Sequence, residues 1–301
     1  MERWLLLAVL SLGWGSAYLF QDESVAEIGP LTLTAIRLVA AALLLFIVLR
    51  LRGLHLPTGR REWLFFLAIG GIGNLLPFAL TTWAQQDVKS SMAGILTAVV
   101  PLVTLVLAHF LGDERLTLRR TIGFLVGFAG VVVLLGLDVA GRPGELLGAA
   151  AILLSAFCYA VGPMILKRKL ADLDPRASMG AALAIAAIVL TPAAVLAPPS
   201  GPPSAEAVVS LVVLGILCTA AAFAFYGALV AEAGAGRALV ITYVAPVVAV
   251  ALGVAVLGER PGAGAGAGLL LILAGSWLAT GGRMPPGRRR RAQPPLPPAP
   301  G

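Results

Sequence analysis

Polar and aromatic residues recur at helical spacing inside two otherwise apolar stretches. Two triplets share the order polar, Phe, polar at positions i, i+4 and i+7: Asn74, Phe78 and Thr81, and, 145 residues later, Thr219, Phe223 and Tyr226. Residues at this spacing lie on one face of a helix. A polar group in an apolar helix needs a partner. Each stripe is therefore expected either to line a cavity that binds a small molecule or to hydrogen-bond a neighbouring helix.

Two further aromatic residues are related by the same offset. Trp14 and Tyr159 lie about 10–15 residues inside their apolar runs, too deep for the aromatic belt of a membrane interface. A ring with a polar edge suits an amphipathic ligand, so both residues are candidates for a binding cavity. The alternative is that they pack in the core. Tyr18 is nearer the end of its run and fits a belt position.

Two prolines interrupt apolar runs at equivalent places. Pro101 and Pro246 each follow a threonine, Thr97 or Thr242, by one helical turn. A proline inside a helix frees a carbonyl and often kinks the helix. The two prolines are expected to act either as gating hinges or as static bends. The threonine hydroxyls are candidates for satisfying the freed backbone and for binding the same small molecule.

Three charged residues stand out by position. Arg37 lies inside an apolar run, where we expect a structural or gating ion pair with an acidic residue of the first loop; binding a substrate carboxylate is the alternative. Glu114 and Glu259 each precede an apolar run. They are expected to stabilise turns there, since a carboxylate near a helix N-terminus meets free N–H groups.

Other chemistry has little support in the sequence. The two histidines are far apart and both cysteines, Cys158 and Cys218, lie in apolar runs, so neither a metal site nor a disulfide framework is expected. No catalytic grouping indicates an enzyme, and no cofactor is expected. All 15 Asp and Glu residues fall in expected loops or helix ends, so any proton coupling is expected to be indirect.

The composition indicates a membrane protein. The chain has 301 residues, of which 59% are hydrophobic and 12% charged, whereas soluble domains have about 25% charged residues. Ten apolar runs are long enough to cross a bilayer, which takes about 20 residues. They cover roughly 3–20, 30–50, 63–86, 89–111, 117–137, 145–167, 176–197, 206–231, 237–257 and 263–281. Residues 283–301, rich in Arg and Pro, are expected to form a disordered cytoplasmic tail that binds no nucleic acid.

The basic residues predict the orientation. With the N-terminus in the cytoplasm, 18 of the 22 Lys and Arg residues fall on the cytoplasmic side, 3 fall outside and Arg37 lies within a span. Basic residues are retained in the cytoplasm, so both termini are expected there.

The chain also repeats itself. A single 145-residue offset aligns Pro101 with Pro246 and the pair Glu114-Arg115 with Glu259-Arg260, together with several glycines. We therefore predict two five-helix units, residues 1–137 and 145–282. Because five is odd, the second unit enters the membrane upside down. Inverted repeats are typical of alternating-access transporters with a central binding site.

The sequences around these positions resemble the drug/metabolite transporter superfamily, and in particular proteins with two EamA domains. The resemblance rests on "WGSAYLF", "PLTLTAIRLVAAALLL" and the Pro-then-Glu-Arg spacing in both halves, and it covers nearly all of residues 3–281. It implies an all-α integral membrane fold of ten transmembrane helices. It also implies a central cavity, lined mainly by helices 1, 3, 4, 6, 8 and 9.

The resulting expectation is a monomeric secondary transporter of the inner membrane. A largely uncharged aromatic and hydroxyl-lined cavity favours export of small amphipathic metabolites such as amino acids. Multidrug efflux is the alternative within the same class, and a membrane scaffold or receptor is the alternative of another class. The expected partners are the small-molecule substrate and the lipid bilayer.

Overall fold

The computed structural model describes residues 3–54, 56, 59–112, 116–233 and 240–280. Glu114, Arg115 and the expected tail 283–301 lie outside these residues. Within the described part of the chain, all the regular elements are helical. Among these described residues, eight helices are long and apolar enough to cross a membrane, and two shorter apolar helices follow them.

The helices fall close to the predicted runs. The first five are α1 Arg3–Ile28, α2 Pro30–Leu51, α3 Arg60–Ala84, α4 Ser90–Phe110 and α5 Leu118–Val139. The next five are α6 Pro143–Lys169, α7 Pro175–Leu196, α8 205–233, α9 Ile241–Ala255 and α10 Ala263–Ala279. We call the end of the bundle that carries residues 197–204 and 256–262 the capped end. The sequence predicts that this end faces outside.

Helix α1 is longer than predicted. It runs to Ile28 instead of ending near residue 20, so Asp22, Glu23 and Glu27 lie in a helix and not in an acidic loop. The first strong stop signals are Gly29, whose φ of 80° suits glycine, and Pro30 at the start of α2. The prediction was wrong here because polar residues were taken to end the span.

The distribution of side chains is that of a membrane protein. Large apolar side chains are widely exposed; Leu43, Leu125 and Ile188 are 59%, 58% and 71% exposed. Polar side chains such as Gln21 and Ser155 are instead buried. A bilayer accepts the first group, and helix-to-helix hydrogen bonds satisfy the second.

Helices of the two halves pack on one another. Helix α5 packs on α10, and α2 packs on α7. Helix α1 packs on α9 and α8, as α6 packs on α4 and α3. A shift of 145 residues converts the two contacts of α1 into the two contacts of α6. The same shift converts the α5–α10 contact and the α2–α7 contact each into itself. The core of the bundle therefore lies between the two halves.

Helices α5 and α10 approach each other so closely that no side chain separates their backbones at the glycines. A Cβ added at Gly275 would lie 2.5 Å from the carbonyl oxygen of Gly123, and one added at Gly130 would lie 2.9 Å from that of Gly268. Glycines let helices approach this closely in membranes. The shared glycines of the two halves thus hold the last helix of one half against the last helix of the other.

Two π-helical segments interrupt α3 and α8. They are Ile69–Leu75 and Leu214–Ala221, and their first residues are 145 positions apart. In each, a side chain donates a hydrogen bond to the first carbonyl. Asn74 Nδ2 bonds Ile69 O at 3.1 Å, and Thr219 Oγ1 bonds Leu214 O at 2.8 Å. Such widened turns are frequent at functional sites.

Candidate functional site

Five aromatic side chains from four helices meet between the two halves, and we call them the ring cluster. They are Trp14 from α1, Phe78 from α3, Tyr159 from α6, and Phe223 and Tyr226 from α8. The ring centroids of Trp14 and Phe223 lie 6.0 Å apart, edge to face, and Tyr226 lies 5.2 Å from Trp14. All five were candidates from the sequence, and the structure brings them together.

The contacts of the ring cluster repeat at the 145-residue offset. Phe78 and Tyr159 also meet edge to face with centroids 6.0 Å apart, and this pair is the 145-residue equivalent of Phe223 and Trp14. Phe78 and Phe223, which are equivalent to each other, lie 6.1 Å apart and join the two pairs. The contact between these two phenylalanines therefore lies where the halves meet.

Arg37 of α2 lies against this cluster. Its guanidinium carbon is 4.6 Å from the centre of the Phe78 ring. Its Nε donates to Thr219 Oγ1 at 3.2 Å, and its Nη1 donates to Gln21 Oε1. The side chain is only 5% exposed. The cation thus rests on an aromatic face between two neutral acceptors.

The expected ion pair of Arg37 is not formed. Glu23 accepts a hydrogen bond from Ser210 Oγ at 2.5 Å, and Glu27 accepts from the Ser204 backbone N–H at 2.6 Å. Within the described residues, no carboxylate pairs with Arg37. The continuation of α1 to Ile28 explains the correction, because it carries Glu23 and Glu27 to the start of α8 at the capped end.

Two glutamines extend this polar group and were not predicted. Gln21 Nε2 donates to Gln85 Oε1, and Gln85 Nε2 donates to the carbonyl of Tyr18 at 2.9 Å. Both glutamines are buried. The sequence feature that could have predicted this contact is that both glutamines lie near the same end of α1 and α3. Their meeting depends on tertiary packing, which periodicity does not reveal.

The polar side chains of the two stripes form hydrogen bonds, some to a neighbouring helix and some within their own helix. Thr81 Oγ1 shares a 2.8 Å hydrogen bond with Ser155 Oγ of α6, and Ser155 also donates to Pro77 O at 3.1 Å. Asn74 and Thr219 bond the π-helical carbonyls described above. These contacts favour the packing alternative for Asn74 and Thr81, whereas Thr219 also holds Arg37.

The two proline positions differ. Helix α4 breaks at residues 98–99, just before Pro101, whereas α9 continues through Pro246. Thr97 Oγ1 donates to the Ala93 carbonyl at 2.8 Å, one turn earlier. Thr97 and Thr242 are both half-buried in the bundle. Thus the first half has a broken helix where the second half has a continuous one.

Glu259 binds a helix other than the one predicted. Its two oxygens accept the backbone N–H groups of Ser90 at 2.9 Å and Ser91 at 3.1 Å, at the start of α4 instead of α10. The start of α10 is bound by Asp138, whose oxygens accept from Gly264 and Ala265 at 3.1 and 2.6 Å. Carboxylates at these positions satisfy free N–H groups and the positive helix end.

A cleft of about 440 Å³ opens at the capped end beside Glu259. Its lining mixes charges of both signs: Asp22, Lys89, Leu257, Gly258, Glu259 and Arg260. Asp22 and Glu259, from α1 and from the segment before α10, therefore meet at this cleft.

Similar proteins identify the family of this arrangement. A family model described as "EamA-like transporter family" matches residues 2–136 and again residues 146–281. "Uncharacterized inner membrane transporter YedA" of Escherichia coli (strain K12) is 30% identical over 259 residues, which cover 84% of this chain and 82% of that protein. "Uncharacterized transporter YoaV" of Bacillus subtilis (strain 168) is 23% identical over 280 residues, covering 91% and 96%.

The fold is shared with a solved structure described as "Crystal structure of protein". It aligns with a TM-score of 0.67 at 24% identity and covers 93% of this chain and 96% of that one. At this identity the likeness concerns the fold alone. With the family match over both halves, it follows that the chain is a multi-pass membrane protein that belongs to the EamA-like transporter family.

Proposed function

We propose that this protein is a secondary transporter of the inner membrane that exports a small amphipathic metabolite, such as an amino acid, by alternating access. The observation that carries the proposal is the ring cluster. Its two edge-to-face contacts, Trp14 with Phe223 and Phe78 with Tyr159, are equivalent by the 145-residue offset and are joined across the halves.

This arrangement suits a cargo that binds between two moving halves. If the halves rock against each other, the contact between Phe78 and Phe223 opens and closes, so a bound apolar group would be held between rings from both halves. Transporters with inverted repeats place their substrate at such an interface near the bilayer centre. We place both termini in the cytoplasm, so the capped end faces outside. Each chain holds a complete ring cluster, which favours a monomer.

The proposal is tested by comparing metabolites inside and outside cells that overproduce the intact chain or its Trp14→Ala, Tyr159→Ala variant at matched membrane levels. We expect one class of metabolite to accumulate outside only with the intact chain. The variant lacks two of the five rings and the three ring contacts that they make. At about 1 kcal/mol of cargo contact per ring, export should fall roughly tenfold or more.

The matched control is Phe157→Ala. Phe157 lies two residues from Tyr159 on α6 but is 43% exposed and outside the ring cluster. It should export like the intact chain. Identical profiles for the intact chain, the double variant and cells without the protein would contradict transport and favour a scaffold or receptor. Export of many unrelated apolar compounds would favour multidrug efflux instead.

A further inference from the structure

The polar group around Arg37 breaks the symmetry of the two halves. At the 145-residue offset, Arg37 corresponds to Ala182, Gln21 to Leu166, and Gln85 to Val230. The ring cluster itself is nearly symmetric, so the second half contains the rings but lacks the cation and its amides. The second half packs with apolar residues at these positions, and Ala182 is fully buried, so this helix packing does not by itself call for a cation.

Hydrogen bonds hold the guanidinium of Arg37 in place, but in the part of the chain that the structure describes no negatively charged group neutralises it. Burying a cation is costly unless it is paired, and a carboxylate is the partner that satisfies it best. In the described part of the chain, the guanidinium binds a threonine hydroxyl, a glutamine carbonyl and a ring face, all of them neutral. Glu23 and Glu27, which lie on the helix that carries Gln21, are engaged at the start of α8.

The position of the charge relative to the rings defines a two-part site. The guanidinium lies on Phe78, so an anionic group bound to Arg37 would place the rest of its molecule against the ring cluster. Thr219 and Gln21 fix Nε and Nη1, which orients the remaining N–H groups of the planar fork. Such a fork matches the two oxygens of a carboxylate. Arg37 carries one positive charge and so balances one negative charge, which favours a monocarboxylate over a dianionic phosphate.

We propose that Arg37 binds a carboxylate group of the cargo, so that the transported class is carboxylic acids, including amino acids, with an apolar side group. The inference rests on the proposed function and narrows its substrate. Gln21, Gln85 and Thr219 act as positioning residues for Arg37. A lipophilic amine would instead meet a like charge at this site.

The test uses the metabolite comparison above with the full chain and three further variants. Arg37→Gln removes the charge. Arg37→Lys keeps the charge but loses the fork. Arg50→Gln is the matched control, because Arg50 also lies over a phenylalanine of α2, at 4.9 Å from Phe46, but is exposed at the other end of the helix.

We expect all compounds exported by the intact chain to carry a carboxylate. A charge-assisted hydrogen bond is worth roughly 10- to 100-fold in affinity, so Arg37→Gln should lower export by that order. Arg37→Lys should retain a measurable part, and Arg50→Gln should match the intact chain. Melting temperatures of the purified variants show whether each one folds.

The outcomes separate the two proposals. Export of compounds without a carboxylate, or undiminished export by Arg37→Gln, would overturn the carboxylate site and leave the transporter proposal standing. If cells with a normally folded Arg37→Lys variant exported no more than cells without the protein, a charge-binding role of Arg37 would also be overturned. If the intact chain exports nothing, both proposals fail.

Discussion

Replacing Phe78 with alanine should lower transport roughly 30-fold at matched membrane levels. Phe78 contacts Tyr159, Phe223 and Arg37 together. Burying a side chain of this size contributes about 2 kcal/mol, so a cargo that packs on Phe78 should lose about that much binding free energy when the ring is removed. At 1.4 kcal/mol per factor of ten, this gives the expected fall.

The control for this prediction is Phe128→Ala. Phe128 of α5 stacks on Phe124 with centroids 6.1 Å apart, but it is 55% exposed and lies away from the ring cluster. Export by this variant should stay within about twofold of the intact chain, since surface changes are usually small. Equal export by Phe78→Ala and Phe128→Ala would show that the cargo does not use the ring cluster.

Replacing Gly73 with valine should lower the stability of the folded protein markedly. The backbones of α3 and α6 touch at Gly73 and Gly162; a Cβ added at Gly73 would lie 2.9 Å from the Gly162 Cα, and the reverse distance is 3.1 Å. A branched side chain must therefore push the helices apart beside Asn74 and the Phe78–Tyr159 contact. Overpacking of this kind costs about 2–3 kcal/mol.

The measurement is the melting temperature and yield of the purified protein. Gly71→Val is a matched control, because Gly71 lies in the same π-helical segment and an added Cβ there meets nothing within 4 Å. We expect Gly73→Val to give a markedly lower melting temperature and Gly71→Val to give nearly the value of the intact chain. Equal stability of the two variants would mean that the α3–α6 approach is looser than described.

Much of the ring cluster could be predicted because its members repeat at a fixed offset. The sequence alone pairs Phe78 with Phe223 and Trp14 with Tyr159 as equivalent residues of the two halves. The offset identifies equivalent residues but not their neighbours. For this reason the edge-to-face pairing of Phe78 with Tyr159, and the bonds of Asn74 and Thr81 to other helical groups, required the structure.

The polar group of Arg37 was predicted only in part. Arg37 itself is conspicuous as a cation within an apolar run, but its expected ion pair rested on an acidic loop that is in fact the last turns of α1. Gln21 and Gln85 are 64 residues apart, and only the packing of α1 and α3 brings them together. Likewise, Glu259 was assigned to its own following helix, whereas the fold brings it to the start of α4.

The most direct test of transport through the ring cluster is counterflow with purified protein in proteoliposomes. Vesicles are loaded with an excess of each unlabelled amino acid in turn and given a trace of the same labelled compound outside. We predict transient accumulation of label for at least one amino acid with an apolar side chain, and its loss in Phe78→Ala but not in Phe128→Ala. Two results would contradict a carrier that binds its cargo at these rings. One is uptake of label no greater than in vesicles without protein, across the whole panel. The other is equal uptake by Phe78→Ala and Phe128→Ala.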